Sequence, residues 1–557
     1  MNPGLTRRNR VIFVAVSWGA TAFCAAQARS VDLVVTSVEP SPRTLIAPIH
    51  APIVAHFDKP VNPTTISANT FKAFGRWSGA VSGSYQFLNG GQTVSLRPDR
   101  PLSSGEQVMV VLSHDIEATD GSFLRSAGYS WQYWITAQSA TMSFTEIDRL
   151  DTRTVPTTSS RAYGGIASDM NRDTYLDITI VNEDTADLRV FLNLADRSGL
   201  FAPFIQPTFP VGDRASPSEP ADFNGDGHVD ICVANINDNT VSVLLGNGNG
   251  KFGPQQIIPV GSAPRGIAVL DADGDGDLDV VNTNTLSNSM SIMFNDGSGV
   301  FGAASFFEAG VAGEWALAAA DMNEDGILDL IIGGRSSQTI AVNTGNGDGT
   351  FSFASTQSAG GSVWMLTCGD VNGDQHEDVC TANSTSGNGA ILTGNGAGQL
   401  AAPTTHSTDP FPLATDFGDL DGDGDLDWVT ASFSGDWFIF ENNGVGVFSF
   451  LQEIDAPIAA SCSLALDFDN DGDLDLALID ELADEVILMR NGGVGPCISL
   501  GDFDVSGTCD GLDLSPFVAA IMQGANWKPA QLCSGDFDGN GAIGTEDIGP
   551  FVACLLN

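Results

Sequence analysis

The chain reads as mainly β, a seven-bladed β-propeller preceded by a β-sandwich and followed by a small α-helical domain built on two paired loops. Three observations predict this. A nine-residue acidic core recurs seven times at near-constant spacing. Short apolar runs between Gly/Asn/Asp turns flank every core and leave no room for a helix of ordinary length. Two further acidic loops close the sequence, each running into a helix-like stretch.

The overall numbers agree with several domains. At roughly 150 residues each, 557 residues predict three or four. There are 69 acids against 23 Lys and Arg, a formal net charge of -46, yet 42% of residues are hydrophobic, so this is not a disordered polyanion. The acidity excludes nucleic acid or an anionic membrane as partner, since phosphate binding needs clustered Lys and Arg. More than half of the 69 acids fall within nine short loops.

Residues 1–28 form the pattern of a signal peptide. Arg7, Arg8 and Arg10 precede an uncharged apolar run from Val11 to Ala26, and Ala26-Gln27-Ala28 supplies a small-x-small cleavage site. The alternative, a membrane anchor, would be short for a span at about 16 residues. The expected location is therefore secreted or at the cell surface, with no transmembrane segment in the mature chain.

Residues 31–139 lack the repeat. Alternating apolar runs at Ile53–Phe57, Gln92–Leu96 and Val108–Leu112, between Pro/Gly turns, predict a β-sandwich. Trp131 and Trp134 are expected to be core or rim aromatics there, not a sugar platform.

The repeat region, residues 140–494, carries the cores. Their oxygen-bearing positions 1, 3, 5 and 9 are Asp169, Asn171, Asp173 and Asp177; Asp222, Asn224, Asp226 and Asp230; Asp271, Asp273, Asp275 and Asp279; and Asp321, Asn323, Asp325 and Asp329. The last three sets are Asp370, Asn372, Asp374 and Asp378; Asp419, Asp421, Asp423 and Asp427; and Asp467, Asp469, Asp471 and Asp475. The first aspartates lie 53, 49, 50, 49, 49 and 48 residues apart. Such a period means an array of similar supersecondary units. With about four short strands each, repeated radially, the units make a propeller, which leaves few exposed edges; an open solenoid is the alternative. The seventh unit lacks its fourth strand after Val486–Arg490, and residues near Phe144 are placed to supply it.

Hard oxygen ligands at this spacing, wrapped by a turn with Gly usually at position 6, match a calcium loop in which position 7 offers its backbone carbonyl. Five aspartates between Asp271 and Asp279 would repel one another strongly without a cation. Thr174 and Gln375 replace the position-6 Gly in the first and fifth loops, which are therefore expected to be the weakest. His228 and His376 stand at position 7, and their side chains are expected to point to solvent. These cores resemble the FG-GAP/VCBS repeats of integrin-α-like calcium-binding propellers. The resemblance implies a seven-bladed ring, structural calcium and recognition of protein or glycan by a propeller face. The pieces Phe57-Asp58-Lys59-Pro60-Val61 and Ile116-Glu117-Ala118-Thr119-Asp120-Gly121 resemble bacterial Ig-like domains of the surface-layer type, which implies a spacer module.

The tail, residues 495–557, carries twelve-residue EF-type loops with Asp502, Asp504, Ser506 and Asp513, and Asp536, Asp538, Asn540 and Asp547, at positions 1, 3, 5 and 12. That brings the expected calcium sites to about nine. Cys497, Cys509, Cys533 and Cys554 crowd this segment and suggest two disulfides, in any of three connectivities. Cys232, Cys368, Cys380 and Cys462 are expected to be buried free thiols. The duplicated loop-helix is similar to a type I dockerin, which implies attachment to a cohesin-like scaffold. Gly511-Leu512 and Thr545-Glu546 depart from the family's cellulosomal pattern at positions 10 and 11.

No catalytic constellation is legible. His50, His56, His114, His228, His376 and His406 pair with no nucleophile in any motif, and no GxSxG occurs. The expectation is a non-catalytic, monomeric calcium-binding recognition or adhesion protein, its partner a surface protein or glycan. A lectin-like propeller or an accessory to a polysaccharide-active enzyme is the alternative. Among the blades, only the sixth offers an aromatic, Trp437, for a single sugar site in its variable segment.

Overall fold

The computed structural model describes residues 31–492, 501, 511, 514–523, 535, 543–545 and 547–555. The segment of the expected signal peptide lies outside them, as do Cys497, Cys509 and Cys533.

The amino-terminal part packs two four-stranded antiparallel sheets face to face. One runs Val35–Glu39, Ile53–Phe57, Thr93–Pro98, Gly83–Leu88 in spatial order, and the other Tyr129–Trp134, Gln107–Leu112, Phe71–Gly75, Gly79–Ala80. The two-residue period of a strand decides what each face does. Val108, Val110 and Leu112 point into the sandwich core with Trp131 and Tyr133, while Met109 and Val111 point out of it and pack on the repeat sheets. One strand thus serves two cores.

Among the described residues, the repeat region makes seven four-stranded antiparallel sheets of the kind that form propeller blades. The third is typical: Pro264–Leu270, Asp279–Asn284, Ser289–Met293 and Ser305–Phe307, each paired to the next. The acidic core links the first strand to the second, which begins at the ninth-position aspartate. The second strands are buried throughout, from Asp177–Asn182 to Asp475–Asp480, because neighbouring sheets cover both their faces. Outer strands such as Ser449–Ile454 are largely exposed. After the third strand, the Gly/Asn turn closes through single bridges such as Gly246 to Phe252 and Asn295 to Phe301. Phe252 and Phe301 are buried and pin the turn.

Each first strand lies against the first strand of the next sheet, and Ala162–Ser168 of the first sheet also lies against Ala460–Leu466 of the last. The succession therefore closes on itself. The last sheet takes its fourth strand from ahead of the first: Thr145–Asp151 pairs antiparallel with Glu485–Arg490, from Thr145 opposite Arg490 to Asp151 opposite Glu485. This is the strand exchange expected near Phe144, which itself packs on the adjoining core.

In the tail, helices span Leu514–Gln523 and Ile548–Leu555, where the sequence predicts them. Phe517 and Phe551 stack with ring centroids 3.8 Å apart. Cys554 is disulfide-bonded, whereas Cys232, Cys368 and Cys380 are buried free thiols and Cys462 is free and half-buried. No helix among the described residues is long and apolar enough to cross a membrane.

Candidate metal centres

The seven acidic loops share one hydrogen-bond scheme. The ninth-position carboxylates, Asp177, Asp230, Asp279, Asp329, Asp378, Asp427 and Asp475, each accept two backbone N–H groups at 2.7–3.3 Å. One comes from the second loop residue and the other from the end of the third strand, so this carboxylate ties three segments of the sheet together. The first-position carboxylates accept the N–H of the sixth residue at 2.7–3.1 Å, which closes the turn. That sixth residue sits in the left-handed region in every loop, and Thr174 (φ 75) and Gln375 (φ 67) adopt it without being glycine.

The predicted ligands do not all converge. Where position 3 is aspartate, positions 1, 3 and 9 do: Asp271, Asp273 and Asp279; Asp419, Asp421 and Asp427; Asp467, Asp469 and Asp475 each offer oxygens within 4.8 Å of one another. Position 5, expected as a fourth ligand, lies outside these clusters. Asp173, Asp226, Asp275, Asp325, Asp374, Asp423 and Asp471 accept instead the N–H of the seventh residue at 2.8–3.1 Å. Where position 3 is asparagine, the amides of Asn171, Asn224, Asn323 and Asn372 donate to that fifth carboxylate at 2.8–3.0 Å. Of the tail ligands, Asp547 is buried, with its Oδ2 accepting Gly544 N–H at 2.8 Å. Asp502, Asp504, Ser506, Asp513, Asp536, Asp538 and Asn540 lie outside the described residues.

The converging clusters fit a hard divalent cation. Asp419 Oδ1 and Asp469 Oδ1 are buried without a hydrogen-bond partner among the described residues, which is costly for a carboxylate unless a cation takes the oxygen. Burial first, and the adjoining carboxylates next, push Asp271 up to about 8 and Asp467 well above the usual carboxylate range. Burial likewise raises Asp177, Asp230 and Asp427 to about 8, and Asp329 and Asp378 to about 7. A cation held among such groups favours their ionised form at neutral pH.

The sandwich supplies part of that charge, which sequence reasoning missed. Arg100 Nη1 lies 3.2 Å from Asp169 Oδ2, and Lys72 Nζ lies 3.2 Å from Asp277 Oδ1. Arg43 Nη2 donates to the Asp321 carbonyl at 2.9 Å. Backbone bonds add to the contact: Asp169 N–H donates to the Trp77 carbonyl at 2.7 Å, and Gln138 N–H to the Gly472 carbonyl at 2.8 Å. The sandwich therefore sits on the loop-bearing side of the repeat sheets. Only contacts between residues far apart in sequence reveal this.

Three aromatic or imidazole expectations are corrected. His228 and His376 do not point freely to solvent. The seventh residue lies over the glycine turn after the third strand, so His228 covers Gly248 and His376 covers Gly396, with His376 Nδ1 2.5 Å from Glu324 Oε1. Trp437 is fully buried and its Nε1 donates to the Cys462 carbonyl at 3.0 Å, so it offers no sugar platform. Other aromatics line the central cavity. Six residues before each first aspartate stand Tyr163, Ser216, Arg265, Trp315, Trp364, Leu413 and Ser461, and all seven line the central cavity. Aligning the repeats on their aspartates would have exposed this position, where Arg265, Trp315 and Trp364 stand beside the serines of other repeats.

Comparison with known proteins places these features in context. FG-GAP-like repeats match in six overlapping pairs, at residues 169–233, 222–282, 273–332, 321–381, 370–430 and 419–478, together more than half of the chain. A bacterial Ig-like domain matches residues 30–135. No curated protein matches. Among solved structures, BBS1N in complex with ARL6DN is 11% identical with a TM-score of 0.45, covering 62% of this chain and 96% of that one. An Agrocybe aegerita lectin that recognises non-reducing terminal N-acetylglucosamine is 16% identical, TM-score 0.38, covering 72% and 94%. A catalytically inactive virginiamycin B lyase from Staphylococcus aureus, with quinupristin, is 13% identical, TM-score 0.41, covering 62% and 99%.

Proposed function

Because the chain belongs to the FG-GAP-like repeat family, we propose that it is an exported, calcium-stabilised, non-catalytic binding protein whose closed seven-bladed propeller is the recognition platform. The Ig-like module caps the metal-loop side, which leaves the opposite side for a ligand. The tail, with its paired EF-type loops, attaches the protein to a cohesin-like scaffold. The observation that carries the reading is the convergence of positions 1, 3 and 9 into buried oxygen clusters, led by Asp467, Asp469 and Asp475. Their spacing and chemistry suit calcium better than magnesium, because a flexible all-oxygen loop tolerates irregular coordination. The non-catalytic part is supported by where the acids go: the ninth-position carboxylates hold backbone N–H groups and are not poised toward a reactive partner.

Calorimetry of the full chain with calcium, paired with thermal melting in calcium and in EDTA, tests the reading. Binding of several calcium ions with a rise in melting temperature is expected, and identical melting in both media refutes it. Capture of a scaffold or surface partner by the full chain, compared with a chain lacking residues 495–557, tests the tail.

A further inference from the structure

The first strands surround a cavity of about 240 Å³, closed at one end by the sandwich through Phe74, Arg76, Gln132 and Trp134. The other end carries an arrangement that the repeat itself does not require. Arg265, from a first strand, holds its guanidinium carbon 4.3 Å from the Trp315 ring centroid and 5.9 Å from that of Trp364. Arg335, from the hairpin between the second and third strands of the fourth sheet, lies 4.3 Å and 4.7 Å from the same two rings. The two indoles are 4.4 Å apart, and Trp364 Nε1 donates to the Tyr163 hydroxyl at 2.7 Å, which fixes the platform.

Two cations are thus gathered on one indole with no carboxylate within ion-pair distance among the described residues. Glu183, the carboxylate whose charge reaches Arg265, is itself paired with Arg161 at 3.2 Å and Arg214 at 3.4 Å. In a chain with a net charge of -46, unpaired arginines facing one another at a cavity mouth are the opposite of what composition supplies. Burial lowers the pKa of both, so the free molecule bears a cost that an arriving anion relieves. Beyond Trp364 the wall continues in Phe411 and Phe433, with centroid separations of 5.0 Å and 6.2 Å and each ring half-buried.

We propose that this cavity mouth binds the acidic end of a carboxylate-bearing saccharide, with Arg265 and Arg335 taking the carboxylate and Trp364, Phe411 and Phe433 facing the sugar ring. The guanidinium fork matches a carboxylate in two parallel hydrogen bonds, and aromatic faces suit the C–H face of a pyranose. The sandwich closes the cavity behind, so the site takes a chain end and not a through-running polymer. The proposal rests on the binding-platform reading and deepens it.

The test is calorimetry on the full chain in calcium, with trigalacturonate, neutral galactotriose and a triglutamate peptide as probes. Trigalacturonate is expected to bind and galactotriose to bind at least tenfold more weakly. Arg335→Gln and Arg265→Gln should each weaken trigalacturonate at least tenfold, while Lys251→Gln leaves it unchanged. Arg335 stands on a half-exposed hairpin, so its variant remains informative if the Arg265 variant does not fold. Equal binding by Arg335→Gln, equal binding of galactotriose, tighter binding of the peptide, or no binding of trigalacturonate overturns the site. If calcium still stabilises the chain in those cases, the platform reading stands, and only the loss of calcium-dependent melting removes that as well.

Discussion

Arg100 of the sandwich reaches the first carboxylate of the first acidic loop, with its Nη1 3.2 Å from Asp169 Oδ2. The cation stands where a metal-bound loop would gain least from it, because a second positive charge opposes the first. Replacing it with Arg100→Gln is therefore expected to let calcium stabilise the chain at lower concentration. The pair is partly exposed, so the shift should correspond to no more than about 1 kcal/mol, under tenfold in concentration. Melting temperature followed through a calcium titration reads it, and a shift to higher concentration contradicts it.

Asp475 and Asp469 belong to the same cluster and do different work. Asp475 accepts Phe468 N–H at 3.3 Å and Asn491 N–H at 2.8 Å, whereas Asp469 lies 2.7 Å from Arg490 Nε and accepts no such backbone pair. Asp475→Asn turns an amide NH₂ on a backbone donor and should cost about 2–4 kcal/mol with or without calcium. Asp469→Asn should lose stability mainly in calcium. Denaturant unfolding of both variants, in calcium and in EDTA, separates the two.

Stability of the metal-free chain should fall as pH rises. An aspartate titrates near pH 4 in an unfolded chain, yet Asp177, Asp230 and Asp427 are pushed up to about 8 and Asp329 and Asp378 to about 7. The folded state then holds more protons. Its advantage is complete below pH 4 and drains away as pH passes through 7 to 8. Melting in EDTA from pH 5 to pH 8.5 should show the decline. Saturating calcium should remove it, because calcium binding near pH 7 releases those protons.

Two strained turns predict a gain. Thr174 and Gln375 hold φ values of 75 and 67 where five of the seven loops use glycine. Thr174→Gly and Gln375→Gly should each stabilise the folded chain by about 0.5–1 kcal/mol, since only glycine adopts that conformation without a steric penalty. Unchanged or lower melting temperatures would show that the side chains compensate.

Trp437→Ala should cost about 3–5 kcal/mol through the cavity it leaves among fully buried neighbours. Saccharide binding by whatever fraction remains folded should be unaffected. A selective loss of binding with stability intact would return Trp437 to the ligand site.

The repeat, the acidic loops and the exchanged strand were legible because they are local. A nine-residue core carries its own turn, and the short unit after Arg490 leaves a vacancy that Thr145–Asp151 fills. Register beyond the loop was harder. Nothing within the core announces that His228 covers Gly248, because that depends on where the third strand ends. The turn of position 5 to the N–H of position 7 is instead a local contact that an aspartate two residues before its donor commonly makes. The seating of the sandwich on the loops was illegible, since Arg100 and Asp169 meet across a domain boundary. The cavity mouth lay between these cases: Arg265, Trp315 and Trp364 share one register position, visible only when the repeats are aligned with one another.

The pairing of Thr145–Asp151 with Glu485–Arg490 also has a mechanical meaning. The strands are antiparallel with Thr145 opposite Arg490, so the chain enters at Thr145 and leaves at Arg490 from the same end of the pair. Tension between those two exits would peel the seam one hydrogen bond at a time and would not shear all of them together. The contacts of the sandwich with the acidic loops, at Asp169, Asp277, Asp321 and Gly472, give pulling force a second route that bypasses the seam. A tethered molecule under flow would thus bear load through the same side that carries its acidic loops.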